Sequence, residues 1–208
     1  MKSITYKIIE FLIVFIFVPL SFTTDYAIWI KLSIGFIGFL YILYVLLYVE
    51  KEKVRLASDL NWRKFWKVTL IKLIVIAVIT SLFVMLIEDQ SLFTVVINKP
   101  KLWVIILFVY SVFSVYPQEL IYRTFYFKRY NVLVHNKSLL ILLNAVVFCV
   151  AHLFFGNMLV VIITFLGGLL FAKTYTDTQS TIMVSIEHAI YGCWLFTVGM
   201  GGMLGFPT

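Results

Sequence analysis

The sequence predicts an all-α fold, a polytopic transmembrane helical bundle of about seven spans with its N-terminus in the cytoplasm. Three observations predict it. Of the 208 residues, 62% are hydrophobic and only 13% charged, and the mean hydropathy is +1.03, more apolar surface than a soluble domain can bury. Apolar runs of about 18 or more residues, the length that crosses hydrocarbon as a helix, recur along the chain. The basic residues behind the net charge of +7 gather in alternate loops, which points to a membrane and away from nucleic acid.

The first span, at about 8–22, follows Lys2 and Lys7 and has no small-residue cleavage site, so a retained helix is expected rather than a removed signal. A second runs over about 28–49. Residues 50–67, EKEKVRLASDLNWRKFWK from Glu50 onward, mix charge with Trp62, Phe65 and Trp66, the composition of a segment anchored in the cytoplasmic interface. The third span, about 68–87, begins near Lys72, whose long stem can snorkel to the headgroups. Polarity is concentrated later in the chain, so residues 1–99 are expected to be scaffold spans and 100–208 the helical core that carries chemistry.

The fourth span, about 102–130, would be about 43 Å long if straight, more than the hydrocarbon thickness. Pro117 removes a backbone hydrogen bond and favours a kink, and Lys128, Arg129 and Tyr130 are expected to emerge into the headgroups. The fifth, sixth and seventh spans follow at about 138–154, 158–176 and 181–204. Gly167, Gly168 and Ala172 give the sixth a small-xxx-small face for close packing. Asn144 and Thr164 are expected to hydrogen-bond between helices. The glycines of GMGGMLG should loosen the end of the seventh, and Cys149 and Cys193 are read as small packing residues.

Charge fixes the expected orientation. Lys2, Lys7, the run from Lys51 to Lys67, Arg123, Lys128, Arg129, Lys137 and Lys173 fall on one side. Lys31, Lys99 and Lys101 fall on the other, beside Asp25, Glu88 and Asp89. The positive-inside rule then puts the N-terminus in the cytoplasm and the C-terminus outside, in a multi-pass protein of the cell membrane.

Ionisable groups inside such spans are costly and mark function by default. The fourth span carries Gln118, Glu119 and Arg123, the fifth His152, the seventh His188. Arg123 follows Glu119 by four residues, so the two share a helical face and should pair. The fourth and fifth spans form a hairpin turning near 131–137. Glu119 and His152 lie at comparable distances from that turn and so within about 5 Å in depth. His188 enters from the same side at a similar depth. Glu119, His152 and His188 are therefore expected in one cytoplasm-facing cavity. A glutamate and two imidazoles can activate water for peptide hydrolysis directly, or can hold zinc as a His₂Glu set with an open water position; both chemistries stand.

These stretches resemble the CPBP family, the CAAX proteases and bacteriocin-processing enzymes, also called the Abi family of intramembrane proteases. Its pattern is EExxxR on one helix, FxxxH on the next and HxxxN or HxxxD on a later one. Here the first reads Gln118-Glu119-Leu120-Ile121-Tyr122-Arg123, the second is complete from Phe148 to His152, and the third begins with His188 but reaches Gly192. The resemblance implies a membrane endopeptidase with Glu119, His152 and His188 as catalytic residues, supported by Gln118, Arg123 and Phe148. It implies a peptide or lipidated protein as substrate and membrane lipids as surroundings. In the family the first glutamate is the base and the asparagine helps hold the oxyanion, and this chain has Gln118 and Gly192 there. Three readings follow: Glu119 is the base with Gln118 orienting it; a rotated helix achieves the same end; or the protein is an inactive relative, a scaffold or immunity-type binding protein. A proton-coupled transporter relaying through Glu119, His152 and His188 is a further alternative, although no internal repeat accompanies it.

Overall fold

The computed structural model describes residues 3–51, 60–87 and 92–205. Among them the chain is all-α, with no strand, and seven helices are long and apolar enough to cross a membrane. They are α1 (Ile4–Ser21), α2 (Ile28–Val49), α3 (Trp62–Leu86), α4 (Pro100–Tyr130), α5 (Lys137–Phe155), α6 (Met158–Thr178) and α7 (Thr181–Val198). The protein is a multi-pass membrane protein, as its composition predicts.

Helix ends follow local chemistry. The Ser3 hydroxyl accepts from the Tyr6 N–H at 3.2 Å, Asn61 Oδ1 from Lys64 at 2.9 Å, Asn136 Oδ1 from Leu139 at 3.1 Å and Asn157 Oδ1 from Leu159 at 2.8 Å. Each satisfies an N–H that has no partner within its own helix. Pro100 opens α4, where its missing N–H costs nothing. Gly199, at φ 114°, ends α7 and leads into a 3₁₀ segment, Met200–Leu204, a conformation open to glycine without strain. The seventh span thus stops short of the sequence expectation.

The third helix departs the other way. Trp62, Phe65 and Trp66, expected in an interfacial segment, form the first turns of α3, capped by Asn61. Residues 52–59 of that segment lie outside the described residues, as do Glu88 and Asp89.

Two compact units emerge, and they interleave early and late spans. The first holds α1, α2, α5, α6 and α4 from Gln118 onward. Its core is aromatic: Phe15, fully buried, meets Tyr122, Tyr126 and Tyr130 edge-on at 5.4, 5.6 and 5.8 Å between ring centres. Helices α5 and α6 pack at close range, because a Cβ on Gly168 would lie 2.9 Å from the Ala145 Cα, as the small-residue spacing predicts. Gly168→Val is therefore expected to destabilise the protein by about 1–3 kcal/mol in thermal unfolding in detergent, since backbone must shift to admit it.

Arg129 does not reach the headgroups as expected. Its side chain is 1% exposed. Nε donates to Glu10 Oε2 at 2.7 Å, Nη2 to Glu10 Oε1 at 3.2 Å and Nη1 to Glu50 Oε1 at 2.6 Å. Tyr130 and Tyr41 also donate to Glu10, and Lys7 Nζ donates to the Arg129 carbonyl at 3.1 Å. The network ties α1 and α2 to the end of α4.

The second unit holds α3, α4 up to Pro117 and α7 from Ile182. Lys72 does not snorkel: its ammonium lies 2.7 Å from Glu187 Oε1, which also accepts from the Tyr191 hydroxyl at 2.9 Å. Trp194 Nε1 donates to Thr80 Oγ1 at 2.9 Å and Trp103 Nε1 to Thr197 Oγ1 at 3.0 Å, so indole donors are matched to hydroxyls between helices.

Helix α4 is not regular. π-Helical turns at Tyr110–Val115 and Leu120–Phe125 bracket the α-helical turn Tyr116–Glu119 that contains Pro117. A residue without an N–H requires some departure from the i→i−4 ladder, and here π turns on both sides absorb it.

Candidate active site

Glu119 sits on α4 between the two π turns, and its side chain is fully buried. One turn on, Arg123 is also fully buried, with Nε 3.3 Å from Glu119 Oε2, the pair that the spacing predicts. Dehydrated charges persist only if hydrogen bonds and neighbours replace water, and Arg123 has both. Nη1 donates to Asn144 Oδ1 at 2.8 Å, while Asn144 Nδ2 donates to the Tyr122 carbonyl at 2.5 Å. The guanidinium lies 4.6 Å from the centre of the Phe148 ring and 5.8 Å from that of Phe171, placing a weakly hydrated cation on aromatic faces. Asn144 is thus an interhelical hydrogen-bonder, as expected. Thr164 is not: its hydroxyl donates to the Val160 carbonyl of its own helix at 2.7 Å.

Phe148 joins this pair to His152. The two rings stand 4.7 Å apart, and His152 Nδ1 is 2.7 Å from the Phe148 carbonyl. Donation from Nδ1 fixes the tautomer in which Nε2 is the acceptor. His152 is half-buried and lies at φ −106°, ψ 1°, between the α-helical part of α5, Lys137–Val150, and its closing 3₁₀ turn, Leu153–Phe155. That bridge-region geometry recurs at active-site positions. The structure therefore brings Glu119, Arg123, Phe148 and His152 together in the first unit. Gln118 precedes them, partly buried.

His188 belongs to the second unit, 6% exposed, on α7. Its ring meets that of Tyr110 edge-on, centres 6.0 Å apart. Its neighbour Glu187 is turned to Lys72 and Tyr191. Gly192 lies against Tyr110, whose ring and hydroxyl occupy the space that a Cβ at 192 would need. Among the described residues no three of His, Cys, Asp and Glu come together in a set able to hold a metal ion, so no step proposed below passes through zinc.

Residues 100–194 match the model of a family described as type II CAAX prenyl endopeptidase Rce1-like. This part of the chain is similar to that family. The match bears out the resemblance read from the three motifs and contains every residue that carries it, from Gln118 to Gly192. It starts at the first residue of α4 and stops within α7, so α1 to α3 lie outside the Rce1-like segment. The family is one of proteases. No curated protein and no solved structure matches the chain.

Some partners escaped sequence reasoning. Phe171 had no signal, because an aromatic residue on an apolar helix is ordinary. Glu10 had one: it is a lone carboxylate inside an apolar run, the same feature that singled out Glu119.

Proposed function

We propose that the protein is an intramembrane endopeptidase of the cell membrane that cleaves a peptide or lipidated protein near the cytoplasmic face. Glu119, His152 and His188 are its catalytic residues, and Arg123, Phe148 and Gln118 support them. The N-terminus lies in the cytoplasm by the bias of basic loops. The observation that carries the reading is the fully buried Glu119–Arg123 pair, which rests on Phe148 one helical turn from His152. In this scheme Glu119 takes a proton from water and the resulting hydroxide attacks the scissile carbonyl carbon. The proton that Glu119 took from water is then passed, through the acceptor nitrogen of an imidazole, to the leaving amine as the C–N bond breaks. Glutamate and histidine suffice, and the Rce1-like match supports the reaction class.

A second reading has an observation of its own. A carboxylate so enclosed, beside Gln118 and with Gly192 in the third motif, also suits an inactive relative in which Glu119 only holds α4 together.

Purified protein assayed in bilayers against prenylated and unprenylated peptides decides between them. Wild type is expected to cleave, and His152→Ala to lose about 10²–10⁴-fold in kcat, the range for a proton-transfer group. Cleavage is expected to survive a chelator. A wild type no faster than His152→Ala would sink the endopeptidase, and activity created by Gln118→Glu would establish the inactive relative.

A further inference from the structure

Gly192 follows His188 by four residues, so both lie on one face of α7. An ideal Cβ on Gly192 would overlap the Tyr110 hydroxyl oxygen and two carbons of its ring. The absent side chain therefore makes room for a phenol. Tyr110 is held there by its surroundings: it is 9% exposed, packs with Ile106, Val115 and Phe196, and meets the Phe196 ring edge-on at 4.8 Å. Its own ring stands edge-on to His188. It opens the π turn Tyr110–Val115, so its direction on α4 differs from that of a regular helix.

Three other polar groups on this part of α7 are engaged by different partners. Tyr191 bonds Glu187 and the Thr69 carbonyl, and Glu187 holds Lys72. Cys193 Sγ lies 3.5 Å from Ser111 Oγ. The Tyr110 phenol stands against Gly192, one helical turn after His188.

We propose that the Tyr110 hydroxyl is the hydrogen-bond donor for the oxyanion formed beside His188; this rests on the endopeptidase reading above. When water oxygen bonds to the scissile carbonyl carbon, the carbonyl π pair moves onto oxygen. The Tyr110 O–H donates a hydrogen bond to that oxygen and keeps its proton. As the oxyanion collapses the C–N bond breaks, and the amine leaves with the proton that Glu119 took from water. A donor that strengthens its bond only as charge develops lowers the barrier without tightening substrate binding. Carried on a ring wedged between Phe196 and His188, it needs little reorganisation.

Tyr110→Phe removes one oxygen and keeps the ring. It is expected to lower kcat by about 10²–10³-fold, the loss typical of one oxyanion donor, with KM within about threefold. The interlock has a readout apart from activity. Gly192→Ala is expected to lower the unfolding temperature, and the loss to be relieved in a Tyr110→Ala background, a non-additivity that marks direct contact. Cleavage by Tyr110→Phe within about threefold of wild type, or a loss confined to KM, would overturn the assignment and leave the endopeptidase standing. Gly192→Ala as stable as wild type would overturn the geometry beneath it. A wild type no faster than His152→Ala would overturn the protease reading and this assignment together.

Discussion

Glu119→Gln is expected to abolish cleavage, with kcat reduced at least about 10³-fold, because an amide cannot take a proton from water. By itself the variant is ambiguous, since it also leaves the buried Arg123 guanidinium without its counter-ion. Removing one member of a buried pair costs about 3–5 kcal/mol, whereas replacing both by neutral groups of similar volume is often harmless. Glu119→Gln with Arg123→Met resolves the matter. Asn144 loses its guanidinium partner, but a methionine stem can still lie on Phe148 and Phe171, where the Arg123 side chain packs. The double variant is expected to regain most of the stability measured by detergent unfolding and to remain inactive. Recovery of cleavage along with stability would show that Glu119 is a staple, and the catalytic role would fall.

The seven spans were legible because hydrocarbon imposes one rule on every segment: enough consecutive apolar residues to cross. The Glu119–Arg123 pair was legible for a related reason, since local helical spacing fixes which side chains meet. Glu119 and His152 are linked by a chain of contacts through Arg123 and Phe148. What remained hidden depends on partners far along the chain. Arg129 reads as a headgroup anchor from its position near the end of α4, and only Glu10 and Glu50 make it a buried residue. Lys72 reads as a snorkelling lysine until Glu187 is placed beside it. Thr164 misled in the opposite sense, because a helical threonine can satisfy itself on the carbonyl one turn back.

The third motif shows the same limit at the candidate site. From the sequence Gly192 is a missing side chain, a loss. In the structure it is a space filled by Tyr110 from α4. Residues 110 and 192 are too far apart in the chain for any periodicity to connect them, and a tyrosine in an apolar run carries no mark of its own. The π turns of α4 were hidden as well. Pro117 announces a departure from the α-helical ladder, but not that it is spread on either side of the Glu119 turn.

Arg129→Met should lower stability by about 3–5 kcal/mol in denaturant titration of the solubilised protein, since two carboxylates lose their shared cation. The two are not equivalent. The Glu10 side chain is 3% exposed and that of Glu50 23%, so Glu50 can recover water while Glu10 cannot. Adding Glu10→Gln to Arg129→Met is thus expected to restore most of the loss: Tyr41 and Tyr130 donate to different oxygens of Glu10, so one can donate to the amide oxygen and the other accept from the amide nitrogen. Adding Glu50→Gln should restore little. Arg129→Lys should recover only part of the loss, because one ammonium cannot reproduce three N–H bonds fanned across Glu10 and Glu50. Equal rescue by the two glutamine variants, or a loss below about 1 kcal/mol for Arg129→Met, would mean that water reaches Glu10 and that the network contributes no more than a surface pair.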